Sequence, residues 1–164
     1  MRFYFLALLA LAADQVSKIW VRTHLKVGES IVVWDPVLDF TRYENSGIAR
    51  SMLQGYGRYF VIAAALVIFM IGYFRNKGEL KGPVLGTGAA LLAGGAAGNA
   101  VDRLLFNQVT DFIAFRSHNG ILNLADYAIT WGGALIVLGV VLEGWRSARQ
   151  ARLSRQAREE AKPH

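Results

Sequence analysis

Between Gly94 and Asp126 the chain reads GGAAGNAVDRLLFNQVTDFIAFRSHNGILNLAD, a segment that starts in one apolar run and ends in the next. It nonetheless carries Asn99, Asp102, Arg103, Asp111, Asn123 and Asp126. Hydrocarbon rejects such groups unless they pair with one another or meet water, so their density asks for a site. Two carboxylates lead, Asp111 and Asp126. Brought together where water is scarce, two carboxyl groups cannot both ionise readily: one holds a proton while the other can draw one from a water. That is the arrangement for acid/base hydrolysis of an amide without a covalent intermediate. Asn99 and Arg103, one helical turn apart, read as orienting donors for the carboxylates and a substrate carbonyl, with Asp102 beside Arg103. No other nucleophile fits as well. Ser46, Ser51 and Ser117 lack a neighbouring histidine or lysine in a triad-like pattern, and the chain has no cysteine, which excludes thiol chemistry, disulfides and zinc-thiolate sites. His24, His118 and His164 are too scattered to suggest metal ligands, so neither a metal nor a cofactor is expected.

The elements that must position these groups are membrane spans. Hydrophobic residues make up 54% of the chain and charged ones 18%, a balance outside the usual soluble range. The apolar residues are gathered into blocks of bilayer length, which takes about 20 helical residues. Spans are expected at about 3–20, 58–74, 83–103 and 126–145. Arg2 followed by FYFLALLALAA imitates a cleaved signal peptide. The apolar character resumes beyond Asp14 to Trp20, however, which makes the block a first span with Asp14 and Lys18 four apart on one helix face. The Gly- and Ala-rich third span lets neighbouring helices approach closely.

Segment 21–57 is polar, with β-type pieces at Ser30 to Trp34 and Val37 to Tyr43 around an Asp35-Pro36 turn, then a short amphipathic piece at 51–56. The expected fold is membrane all-α, four transmembrane helices with a small β-sheet on the outer face. One domain spans 1–146, and 147–164 form a basic cytoplasmic tail. Orientation follows from lysine and arginine: ten lie on the side of the N-terminus, the 75–81 connection and the tail, and six on the other side. The net charge of +6 points away from nucleic acid, because six of the eighteen basic residues follow Trp145, where an anionic lipid surface is the natural partner.

Several residues also have plainer roles. Asp14 reads better as a helix-packing residue than as a catalyst, Asp102 as an internal ion pair with Arg103 or a cap, and Asn45 as a turn residue. Asp126 is compatible with an N-cap of the fourth span. Asp111 has no comparable plain role, being expected in the loop after the third span.

Five pieces, DQVSK (14–18), NSGIA (45–49), GGAAGNAVDR (94–103), VTDFI (109–113) and LNLAD (122–126), in this order among four spans, resemble lipoprotein signal peptidase, or signal peptidase II. The resemblance implies an aspartic endopeptidase of the bacterial inner membrane with its site toward the periplasm. Such an enzyme removes the signal peptide from lipid-modified prolipoproteins by cutting before a diacylglyceryl cysteine. It implies Asp111 and Asp126 as the catalytic pair, supported by Asp14, Asn45, Asn99, Asp102, Arg103 and Asn123. Ser17, Arg50, Leu122 and Tyr127 depart from the family's usual residues, and the Asp111 to Asp126 connection is short, but no catalytic group is lost. The competing reading from another class is a small ion- or proton-conducting transporter, since intramembrane Asp, Asn and Arg also mark ion paths.

Overall fold

The computed structural model describes residues 1–47, 57–117 and 120–160. Four helices, α1 (Arg2–His24), α2 (Gly57–Asn76), α3 (Pro83–Phe106) and α4 (Leu124–Glu160), are each long and apolar enough to cross a membrane. The expected spans lie wholly within them, and the helices overrun the apolar blocks at their ends. α1 continues to His24, with the Leu25 N–H still returning to the Val21 carbonyl. α4 runs on unbroken through the basic segment to Glu160.

Local signals set the helix ends. Pro83 starts α3 after Gly82, whose φ of 82° favours glycine, and Asn107 closes it in the left-handed conformation, its N–H returning to the Arg103 carbonyl. The piece at 51–56 lies outside the described residues.

α3 is the centre of the bundle. It packs against α1, α2 and α4, whereas α2 leans on α3 and barely meets α4, which leaves a gap between α2 and α4. The small residues of α3 make the central position possible. A Cβ on Gly95 would lie 2.6 Å from the Ala125 carbonyl oxygen, and one on Gly98 would lie 2.5 Å from Asp14 Oδ2. Neither has room, so helix–helix distance is set by glycine here. Gly98→Ala is therefore expected to lower unfolding stability by about 1–3 kcal/mol, the usual penalty of overpacking. An unchanged unfolding midpoint in detergent would contradict this close packing.

At one end of the bundle sits a four-stranded antiparallel sheet of order β1-β2-β3-β4, made of β1 (Ser30–Trp34), β2 (Leu38–Asn45), β3 (Val109–Phe115) and β4 (Ile121–Leu122). The β1–β2 hairpin is where the alternation and the Asp35-Pro36 turn place it. The other two strands correct the expected loop after the third span: Asp111 stands on β3, which is buried over most of its length. VTDFIAF forms a strand because β2 and β4 pair with its two edges. Phe112 and Ile113 join Val21 of α1 and Leu25, just past the end of that helix, in a core cluster. Arg116 bridges the end of β3 to the hairpin through Asp39 at 2.8 Å and Asp35 at 2.7 Å.

A β-bulge between Phe40 and Tyr43 matters for the site. Phe40 pairs with Ile113, but Tyr43 pairs with Asp111 and Asn45 with Val109, so β2 carries one extra residue. A one-residue slip moves every later side chain to the other face. Asn45 thereby shares a face with Asp111, and Glu44 shares the opposite face with Thr110.

Candidate active site

Every sequence-predicted site residue lies at the sheet end of the bundle. β3 supplies Asp111, β2 supplies Asn45, α3 supplies Asn99, Asp102 and Arg103, α1 supplies Asp14, and the start of α4 supplies Asn123 and Asp126. The buried polar groups of the described residues, Asp14, Lys18, Asn99, Asp102, Thr110, Asp111 and Asn123, all belong to this end. A polar path toward the opposite end, as a transporter would need, is not among them.

Three asparagines hold the two lead carboxylates. Asn45 Nδ2 donates to Asp111 Oδ2 at 3.0 Å and Asn123 Nδ2 to Asp111 Oδ1 at 2.6 Å. Asn99 Nδ2 donates to Asp126 Oδ1 at 3.0 Å. In each case the amide has no choice of direction, because its oxygen is engaged by a group that only donates. The Gly47 N–H holds Asn45 Oδ1 at 3.0 Å, the Asp126 N–H holds Asn123 Oδ1 at 2.9 Å, and the Lys18 ammonium holds Asn99 Oδ1 at 2.9 Å. Three NH2 groups therefore aim at two carboxylates.

The start of α4 builds half of this. Asn123 is the cap of the helix, accepting from the Asp126 N–H, and Asp126 returns a carboxylate oxygen to the Asn123 N–H at 3.2 Å. This is a reciprocal capping box with Asn and Asp in the two places. It corrects the reading of Asp126 as N-cap: Asn123 takes that role, and Asp126 has an oxygen left for Asn99. Asn45 is indeed a turn residue, through Gly47, and also a partner of Asp111. Asn123 touches both carboxylates and so sets them in register.

Asp14, Asp102 and Arg103 do different work. Asp14 accepts from the Ala125 N–H at 2.9 Å, which satisfies an orphan donor in the first turn of α4 and fixes that helix on α1. Its role as a packing residue is what the structure displays. Asp102 does not pair with Arg103, because successive helical residues point in different directions. Its carboxylate faces Lys18 at 3.2 Å, Arg22 at 3.2 Å and the Thr110 N–H at 3.2 Å. Arg103 turns to the other side, donates to the Gly47 carbonyl at 3.2 Å and lies 5.2 Å from the Phe60 ring centroid. Lys18, Arg22, Thr110 and Gln15, whose Nε2 donates to Asp14 Oδ2 at 3.2 Å and Asp102 Oδ1 at 3.3 Å, were missing from the predicted site. The signal for two of them was present, since Asp14, Lys18 and Arg22 repeat every four residues along one face of α1.

Asp111 and Asp126 open on one cavity of about 810 Å³, lined also by Asn45, Asn99, Arg103 and Asn123. Its far wall is apolar and comes from α2, α3 and α4: Ala63, Val67, Leu92, Ala96 and Ile129. Burial pushes the Asp111 carboxyl up to about 7, with the charge of Asp126 adding to it, against the opposing hydrogen bonds from Asn45 and Asn123. A carboxyl group that titrates near neutrality beside a second carboxylate in a cavity is a candidate acid/base group.

Fold and site define a multi-pass membrane protein with a paired-carboxylate cavity at one end of its bundle. The profile of a family described as signal peptidase (SPase) II matches residues 6–142. The chain is 34% identical over 149 residues to the lipoprotein signal peptidase of Shouchella clausii, covering 91% of this chain and 99% of that one. It is 38% identical over 163 residues to the lipoprotein signal peptidase of Gloeobacter violaceus, covering 96% and 92%. A bacterial membrane enzyme solved by the in meso method at 2.3 Å superposes with a TM-score of 0.79 at 29% identity, over 87% of this chain and 89% of that one. The chain belongs to the signal peptidase II family and is a membrane peptidase.

Proposed function

We propose that this chain is a membrane-embedded aspartic endopeptidase that removes the signal peptide from prolipoproteins, cutting before a diacylglyceryl-modified cysteine. The observation that carries the reading is the pair of carboxylates on one cavity, joined through Asn123. Asp111, held protonated by burial, donates to the scissile carbonyl oxygen. Asp126, facing Asn99 and the Asn123 N–H, takes a proton from the attacking water. Asn45, Asn99 and Asn123 orient the pair, Asp14 and Asp102 hold the helices that carry it, and Arg103 fixes the cavity edge through Gly47.

The apolar part of the cavity and the gap between α2 and α4 suit a substrate that arrives sideways from the bilayer with an apolar signal helix and acyl chains. The protein sits in the bacterial inner membrane with the sheet and cavity on the periplasmic side, in keeping with the uneven lysine and arginine count. Residues 1–146 act as one peptidase domain and 147–164 as a cytoplasmic tail.

The purified chain in lipid nanodiscs, given one precursor with and without the diacylglyceryl group, tests the reading. Cleavage of the modified form before its cysteine, insensitive to chelators and serine reagents, is the expected result. Equal cleavage of both forms would remove the lipid requirement, and chelator or serine-reagent inhibition would remove the aspartic mechanism.

A further inference from the structure

Lys18 has no part in the chemistry above, yet it is a fully buried cation in the middle of the polar network. Its ammonium has three protons and three acceptors: Asp14 Oδ2 at 2.8 Å, Asn99 Oδ1 at 2.9 Å and Asp102 Oδ2 at 3.2 Å. Two of these contacts are ion pairs whose partners are also fully buried. Breaking such a pair by removing one partner is strongly unfavourable, because it leaves a buried charge unmatched. The third contact goes to a neutral amide, and it is the one that leads to the dyad.

The Asn99 amide stands between the Lys18 ammonium and the Asp126 carboxylate. An ammonium only donates and a carboxylate only accepts, so one orientation of the amide satisfies both neighbours and the flipped one satisfies neither. For Asn45 and Asn123 a backbone N–H performs this service, which no side-chain substitution removes. For Asn99 it rests on one side chain. If Lys18 is replaced by an apolar residue, Asp14 and Asp102 lose their shared ammonium, Asp14 keeping the Ala125 N–H and Asp102 keeping Arg22 and the Thr110 N–H, and their uncompensated charge attracts Asn99 Nδ2. The amide then turns its oxygen toward Asp126.

We propose that Lys18 is a positioning residue for catalysis: by holding Asn99 Oδ1, it compels Asn99 to donate to Asp126 and so keeps Asp126 set as the base of the pair. This rests on the dyad reading above. Lys18 is fully buried and outside the cavity lining; its hydrogen-bonded route to the pair runs through Asn99, while its charge also acts on Asp111 as the smallest of several influences, lowering that carboxyl.

A double-mutant cycle on the full-length chain in nanodiscs tests it. Lys18→Met and Asn99→Ala are each expected to lower kcat on the order of 100-fold, the loss typical of one preorganised donor, with KM within about twofold. The double variant is expected to lose no more than the weaker single variant, since residues that act as a unit are not additive. A merely structural Lys18 would give losses that multiply, or a fall that tracks thermal stability, and either outcome overturns the proposal. Should Lys18→Met fail to fold, Lys18→Met with Asp102→Asn removes one charge of each sign, and the same non-additivity with Asn99→Ala is required of it. Full turnover by Asp126→Asn would overturn the dyad itself. An inactive Asp126→Asn together with multiplying Lys18 and Asn99 losses would overturn only the role of Lys18.

Discussion

Asp126→Asn is expected to abolish cleavage of a lipid-modified precursor, with kcat reduced by about 10³-fold or more, at the upper end of what one acid/base group contributes. The variant should stay folded. Asparagine keeps the size of the side chain, and its oxygen can still accept from the Asn123 N–H or from Asn99 Nδ2, but it cannot take a proton from water. Asp111→Asn is expected to lose turnover to a similar degree for a different reason. Both oxygens of Asp111 receive an NH2 group, from Asn45 and Asn123, and neither amide can reverse without losing its own backbone donor. An asparagine at 111 therefore sets one NH2 against another, at a cost of about 1–3 kcal/mol for a buried unsatisfied group, and it cannot act as an acid. Single-turnover assays with the purified variants, alongside an unfolding measurement, separate the two effects. Turnover at wild-type rate by either variant would remove that residue from the chemistry.

The second expectation concerns pH. Asp111 titrates at about 7 in the folded chain against an ordinary 3.8. As the acid of the pair it must carry its proton, so turnover should hold up to about pH 7 and then fall about tenfold per unit. Stability should move the same way. A carboxyl whose folded value is raised contributes fully below its unfolded value, and that contribution is lost as pH rises through the folded one. Between pH 4 and 8 the Asp111 contribution amounts to about 4 kcal/mol, at 1.36 kcal/mol per unit. The difference in unfolding free energy between wild type and Asp111→Asn isolates it, since the other titrating groups are common to both. A difference independent of pH across this window would show that Asp111 is ionised throughout.

The bundle was legible in the sequence because its cause is local. Apolar blocks of bilayer length, separated by charged gaps, leave a helix as the only way to close the backbone hydrogen bonds within each segment, and the hairpin announced itself through alternation about Asp35-Pro36. The two lead carboxylates and their supporting asparagines were legible for a related reason: polar residues at the edge of apolar runs have no cheap place to go. What the sequence could not disclose is who faces whom. Asp102 and Arg103 are neighbours in the chain, yet they serve opposite sides of α3, and their partners come from α1 and from Gly47. Asp111 reads as a loop residue until β2 and β4 flank it, because a short strand is stabilised by pairing with segments distant in sequence. The bulge in β2 exists only as a mismatch between two strands, and it decides that Asn45 rather than Glu44 meets Asp111. Lys18 was visible as a charge four residues from Asp14. Its grip on the Asn99 oxygen, and with it the direction of an amide toward Asp126, is a property of three helices packed at glycine distance, which only the tertiary structure decides.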